Sequence, residues 1–277
     1  MTTTTAADAS QSLFADPIHA PFRFDGHRGD SLLIHGFPGT PAEMLPAASV
    51  LVDQGVSAVG LQLPGMGRDI SHMPHLAQNE WRYAAGDAWH RVASSTNRSI
   101  LVGFSMGGAL SIDLATEHSP DLLILLSPFW RFGSWMPHFL MPFIQYIKPT
   151  VSAFETGSLD DPKFRESIQE MVPEADLDDP ATVEDLKESM VLPTRVINYI
   201  RQIGLKAYRA APRVTCPVLV IQGRDDSIVF PQLTGRLVRQ LRSAERVVYH
   251  EVDGDHAFPK DDGPFQEIIS DFIAAHI

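Results

Sequence analysis

The sequence predicts an α/β fold: a mostly parallel sheet with helices on both faces. Three observations predict it. From Ser31 to Pro128, short apolar runs alternate with amphipathic stretches through short connections. The alternation resumes at Val218 and ends in a helix whose Phe265, Ile268, Ile269, Phe272 and Ile273 form a stripe of helical period. Within the first of these stretches, at Gly103-Phe104-Ser105-Met106-Gly107, an apolar run turns into a helix in a single step.

At 277 residues the chain is long enough for one large α/β domain with an insertion. Its net charge of −12 argues against nucleic acid and anionic membrane surfaces as partners. The single cysteine, Cys216, rules out an intrachain disulfide and fits a reducing compartment. It stands before Pro217 at a strand start and reads as a buried structural thiol. Residues 1–11 are rich in threonine and alanine and lack both a basic and an apolar signal region. A disordered tail and a cytoplasmic location are the expectation. No apolar run is long enough to span a bilayer.

Taken in order, Phe22-Arg23-Phe24, a polar turn and Ser31 to Ile34 suggest a hairpin at a sheet edge. The loop His35-Gly36-Phe37-Pro38-Gly39 leads into Thr40-Pro41-Ala42-Glu43, which has the spacing of a capping box. Pro46 interrupts the helix that follows, so that Ala47 to Gln54 is its longer piece, closed by Gly55. Val56 to Leu61 is a buried strand, Asn79 to Ser94 a helix, Ile100 to Val102 a strand, and Leu122 to Leu126 another. Residues 129–211 contain no convincing strand. They are dense in aromatic and methionine side chains at first, then acidic and helical in patches, then apolar and helical over Val196 to Leu205. Val218 to Gln222 returns to the sheet, followed by a helix at Leu233 to Leu241, a strand at Arg246 to Val252 and the terminal helix.

The turn at Ser105 carries the chemistry. A strand reversing directly into a helix forces its middle residue toward positive φ, and the positions two away must be glycine to avoid collision. The hydroxyl is thereby lifted above the sheet edge, over a helix N-terminus with unpaired N–H groups. In a parallel sheet the loops at the carboxyl ends of the strands meet along one edge. Four such loops carry reactive groups here: His35-Gly36-Phe37, Ser105, Asp225-Asp226 and His256. A serine needs a base to take its proton, histidine suits that task, and a carboxylate fixes the histidine tautomer. Asp255 adjoins His256 too closely to fold onto its ring and reads as a turn residue. His72 and His75 lack the further ligands a metal would need.

The chain resembles the α/β-hydrolases, and is especially similar to bacterial carboxylesterases and monoacylglycerol lipases. The resemblance rests on His35-Gly36-Phe37-Pro38-Gly39-Thr40-Pro41-Ala42-Glu43-Met44, Leu63-Pro64-Gly65-x-Gly67, Gly103-Phe104-Ser105-Met106-Gly107-Gly108 and Gly223-x-x-Asp226-x-x-Val229. It covers residues 12–128 and 212–277, the expected core domain, from which one leading strand is missing so that about seven strands rather than eight are expected. Residues 129–211, which carry no motif of the resemblance, are expected from their composition and position to form a helical cap. The resemblance implies Ser105 as nucleophile, Asp226 as acid and His256 as base, in the chain order of that fold. Asp225 competes with Asp226, and the Gly-x-x-Asp spacing selects Asp226. The oxyanion donors would be the backbone N–H groups of Phe37 and Met106, with His35 shaping the loop. The implied partner is a small ester with an apolar, medium-chain acyl group. No cofactor or metal is implied, and oligomeric state is not readable. Trp130 and Trp135, in the aromatic stretch after Pro128, are the candidate pocket residues. A C–C bond hydrolase, an acyltransferase, or a ligand-binding relative that keeps the fold are the alternatives.

Overall fold

Gly- and Pro-bounded apolar runs form the strands, and the segments of helical period between them form the covering layers. The computed structural model describes residues 14–95, 98–133, 146–152, 154, 157–171, 176–189, 191–260 and 263–277. The tail at 1–11 and Trp135 lie outside the described residues. In chain order come β1 (Phe22–Phe24), β2 (Asp30–Ile34), α1 (Leu45–Asp53), β3 (Ser57–Leu61), α2 (Glu80–Ser95), β4 (Ser99–Phe104), α3 (Met106–Ala115) and β5 (Leu122–Leu126). Then follow β6 (Thr150–Ser152), α4 (Pro162–Met171), α5 (Pro180–Ser189), β7 (Val191–Pro193) and α6 (Thr194–Ala210). The chain closes with β8 (Val218–Gly223), α7 (Pro231–Val238), β9 (Val247–Val252) and α8 (Pro264–Ala274).

The main sheet has seven strands in the order β1-β3-β2-β4-β5-β8-β9, parallel throughout except for β1. Side chains alternate across it. Leu32, Ile34, Leu101, Leu123 and Leu125 pack under α2, α3 and α6, while Leu33, Ile100, Val102 and Ile124 pack against α1 and α8. Each face is thus covered, as a parallel sheet requires. Cys216 is buried at the foot of β8, and burial pushes its thiol up to about 11.

Three local expectations are corrected. The hairpin of β1 and β2 does not form, because β1 runs antiparallel beside β3. The turn after β1 is held on the chain entering β3: His27 and Arg28 donate to the Gly55 carbonyl, and Gly26 donates to Ser57 Oγ. Thr40 does not cap a helix with its side chain. Pro41–Met44 is a 3-10 turn, Thr40 Oγ1 meets His19 Nδ1, and Glu43 accepts from Gly36 N–H instead. Pro46 sits in the first turn of α1 rather than interrupting a helix, since its missing N–H costs nothing there.

The segment between β5 and β8 contains two strands that the sequence reading lacks. β6 and β7 pair antiparallel through Thr150↔Pro193, Val151↔Leu192 and Ser152↔Val191, too short and too mixed in polarity to stand out as apolar runs. A separate small cluster of Ile168, Leu177 and Leu186 joins α4, α5 and the turn between them. The last helix, α6, behaves differently: Val196, Ile200, Ala207 and Ala210 belong to the apolar cluster of the main sheet, where α6 packs on α3. α6 also passes close to the chain leaving β5: a Cβ on Gly204 would lie 2.5 Å from the Trp130 carbonyl oxygen.

Candidate active site

The turn between β4 and α3 has the geometry its spacing demands. Ser105 adopts φ 52° and ψ −117°, a conformation L-residues rarely hold. It is over-determined by its neighbours: Ser105 N–H donates to the Leu126 carbonyl at 2.9 Å, and its own carbonyl accepts from Phe129 N–H at 3.0 Å. The two flanking glycines are sterically required. A Cβ on Gly107 would lie 2.1 Å from the Ile34 carbonyl oxygen, and one on Gly103 would lie 2.4 Å from Ser111 Oγ.

Two further strand ends bring their loops to this serine. His256 follows β9, with its Nε2 3.0 Å from Ser105 Oγ and its Nδ1 2.8 Å from Asp226 Oδ2. Asp226 follows β8 and is almost wholly buried, with 2% of its surface exposed. Its Oδ1 accepts from the N–H groups of Ile228 at 2.9 Å and Val229 at 2.7 Å. Burial alone would raise the Asp226 carboxyl. The His256 ring, the Val229 N–H and the nearby Ser127 hydroxyl outweigh burial and hold it below the usual carboxylate range. The neighbouring Asp225 is exposed, as is Asp255, which accepts from Ala257 N–H at the turn.

The loop after β2 supplies the opposite wall. His35 is fully buried, and burial pulls its pKa down despite the Glu43 charge and the Gly36 carbonyl, so the ring is neutral. Its Nδ1 faces the Gly36 carbonyl at 2.8 Å and its Nε2 accepts from Leu63 N–H at 3.1 Å, which ties the loop to the chain leaving β3. Glu43 Oε2 takes the Gly36 N–H at 3.1 Å. The backbone N–H groups of Phe37 and Met106 donate to no protein acceptor among the described residues. N–H groups left without a protein acceptor beside a serine can stabilise a developing oxyanion.

Three residues of this site were missed by sequence reasoning. Gln222, fully buried on β8, donates through Nε2 to Asp226 Oδ2 at 2.9 Å, and its Oε1 accepts from the buried Thr234 hydroxyl at 2.5 Å. A glutamine ending the apolar run Val218–Ile221 was the available signal. Ser127 ends β5 at φ 39°, and its buried hydroxyl lies near the Asp226 carboxylate without a hydrogen bond of good geometry. No local pattern distinguishes Thr234 or Ser127.

Of the candidate pocket residues, Trp130 is buried, with its ring stacked on Tyr208 at 4.2 Å and its indole N–H donating to the Leu233 carbonyl at 2.8 Å. Among the described residues no three His, Cys, Asp or Glu side chains gather as a metal site would require, and His72 is engaged with Glu80. No described helix is long and apolar enough to cross a membrane.

Comparison with known proteins agrees with this architecture. Residues 26–258 match the family Hydrolase_4, described as serine aminopeptidase, S33. The chain is 25% identical over 248 residues to a thermostable monoacylglycerol lipase of Bacillus sp. (strain H-257), covering 86% of this chain and 89% of that protein. Among solved structures it is similar to a metagenome-derived lipolytic enzyme of the pair LipS and LipT, with a TM-score of 0.72 at 22% identity, covering 94% and 97% of the two chains. It is also similar to the Paleococcus ferrophilus monoacylglycerol lipase, with a TM-score of 0.69 at 18% identity, covering 93% and 99%. These two likenesses show the fold. Since the family match spans most of the chain and the strand-to-helix turn bearing Ser105 stands at the carboxyl edge of the sheet, the protein belongs to the Hydrolase_4 family and is an α/β-hydrolase of the serine-hydrolase kind.

Proposed function

We propose that the protein hydrolyses carboxylic esters with an apolar, medium-chain acyl group, monoacylglycerols among them, through an acyl-enzyme on Ser105. The observation that carries this reading is the continuous chain from Ser105 Oγ to His256 to Asp226, at 3.0 and 2.8 Å. Asp226 accepts the Nδ1 proton of His256, which leaves the Nε2 lone pair facing the serine hydroxyl. His256 takes the proton as Ser105 Oγ attacks the ester carbonyl. The N–H groups of Phe37 and Met106 then bind the oxyanion of the tetrahedral intermediate. On collapse His256 returns the proton to the leaving alcohol. Water repeats the sequence on the acyl-enzyme, with His256 again the base, and releases the acid. The described aromatic residues after Pro128, Trp130 among them, form the acyl wall in this reading. The monoacylglycerol lipase relative supports the choice of an ester with a fatty acyl part.

A panel of p-nitrophenyl esters of increasing acyl length, with mass spectrometry after a serine-directed phosphonate, tests the proposal. One phosphonyl adduct on Ser105 with parallel loss of esterase activity is the expected result. An adduct elsewhere, or none, overturns it. Peptide-bond cleavage is a second reading, favoured by the family's description as an aminopeptidase. Aminoacyl p-nitroanilides in the same assay decide between the two.

A further inference from the structure

A cleft of about 420 Å³ lies away from the serine, between the start of α2, the middle of α3 and α6. Its apolar side includes Trp81, Leu110 and Ile203, and four cations line it: Arg82, Arg201, Lys206 and Arg209. In a chain of net charge −12 this concentration of positive charge stands out. The two acids lining the cleft are already engaged. Asp113 Oδ2 holds both Arg82 Nε and Lys206 Nζ at 2.8 Å, and Glu80 holds His72 and the Ala77 N–H.

The remaining two arginines have no carboxylate partner among the described residues. Arg201 is half-buried, and among the described residues its side chain bonds only the Asn198 side-chain oxygen, at 3.0 Å. Desolvation lowers its pKa with no acid to offset it, whereas Arg82, also desolvated, is held higher by Asp113. Arg209 stands two turns further along α6 and adds to the field at the cleft. A guanidinium partly withdrawn from water without a counter-ion, beside apolar surface, is complementary to an anion carrying a hydrocarbon tail.

We propose that this cleft is a second ligand site for an aliphatic carboxylate, with its head on Arg201 and its chain along Trp81, Leu110 and Ile203. The choice of a carboxylate head rests on the ester-hydrolase reading, whose acid product has this chemistry; the charge and shape of the cleft do not. Leu110 lies one helical turn beyond Met106 on α3, so an occupant touches the helix that begins at the reacting serine. It does so without entering the catalytic site.

Calorimetric titration of sodium octanoate into the Ser105→Ala protein tests this, with octanamide, octyl phosphate and inorganic phosphate as separate arms. Octanoate is expected to bind, octanamide at least tenfold more weakly, and the double variant Arg201→Gln/Arg209→Gln to lose at least tenfold in affinity at unchanged Tm. Arg201→Lys, which keeps the charge, is expected to retain part of the binding. Hydrolysis of a short ester by the double variant on the native Ser105 background should be unchanged. Equal binding of octanamide, or octanoate binding indifferent to the double variant, overturns the site, as does no octanoate binding at all. Tighter binding of octyl phosphate or of phosphate alone through the same arginines overturns the carboxylate assignment. The readout is binding, so failure of the esterase proposal would appear separately, as a missing serine adduct with octanoate binding intact.

Discussion

Gln222 Nε2 lies 2.9 Å from Asp226 Oδ2, the same oxygen that faces His256 Nδ1. The two residues are four apart, one on β8 and one in the loop beyond it, and both are buried. Gln222 is itself fixed by the Thr234 hydroxyl on α7 and by the Val229 carbonyl. The orientation of the Asp226 carboxylate therefore depends on a residue outside the Ser105–His256–Asp226 chain.

The first expected outcome follows directly. Gln222→Leu removes a buried donor to the carboxylate and leaves Thr234 without its acceptor, at a cost of about 1–3 kcal/mol in stability. With Asp226 less firmly held, kcat should fall roughly tenfold or more while KM changes little, because the substrate touches neither group. Steady-state kinetics beside a thermal melt separate the two effects. A variant with lowered Tm but native kcat would leave Gln222 a packing residue only.

Ser105→Ala should keep the fold and lose activity by on the order of a million-fold. Asp226→Asn should cost about ten-thousand-fold through the wrong histidine tautomer, far more than Asp225→Asn. The structure adds a reason for that inequality: Asp225 is exposed, whereas Asp226 is buried against His256. Side-by-side assays of purified variants check this, and the reverse order would move the acid to Asp225.

A pH dependence of stability is expected from His35. Its folded pKa is depressed by burial, so the folded state resists a proton that the unfolded chain accepts near pH 6.5. The contribution is fully present above that value and is lost as pH falls below it, at up to about 1.4 kcal/mol per pH unit. Denaturant melts of the wild type and His35→Asn between pH 7.5 and 5 should show a shallower decline in the variant. Equal slopes would mean that other groups dominate the acid limb.

The proposed acyl wall gives a fourth expectation. Each buried methylene contributes about 0.8 kcal/mol, so kcat/KM should rise from acetate to roughly six- or eight-carbon acyl esters. Trp130→Ala should flatten that slope. Because the ring stacks on Tyr208 and its N–H holds the Leu233 carbonyl, the same change should also destabilise the protein by about 3 kcal/mol or more. An unchanged slope with lowered Tm would assign Trp130 wholly to packing.

Much of the site was legible because its determinants are local. Gly103, Ser105 and Gly107 lie on one reversal of the chain; the clash that excludes a Cβ at Gly103 is with Gly107 and Ser111 just beyond it, whereas the one at Gly107 is with Ile34 and His35 at the end of the neighbouring strand β2. The Gly223-x-x-Asp226 spacing sets a turn whose N–H groups reach back to their own carboxylate. The helical stripe of α8 and the alternation along β2 and β4 are likewise periodic signals that one face of each element must be buried.

What only the tertiary structure decided depends on neighbours remote in sequence. Whether β1 pairs with β2 or β3 turns on the docking of Gly26, His27 and Arg28 onto Gly55 and Ser57, a competition that strand propensity does not see. Glu43 has capping-box spacing, yet its carboxylate serves Gly36 because the loop after β2 presents an N–H there. Gln222 reads as one polar residue at the end of an apolar strand; its meaning comes from α7 supplying Thr234 and the next loop supplying Asp226. The sequence by itself determined the parallel sheet and the strand-to-helix turn at Ser105, through periodicity and backbone sterics. The partners of buried polar groups and the unpaired cations of the α6 cleft were decided by packing, because a hydrogen bond or an ion pair is settled by which surfaces meet.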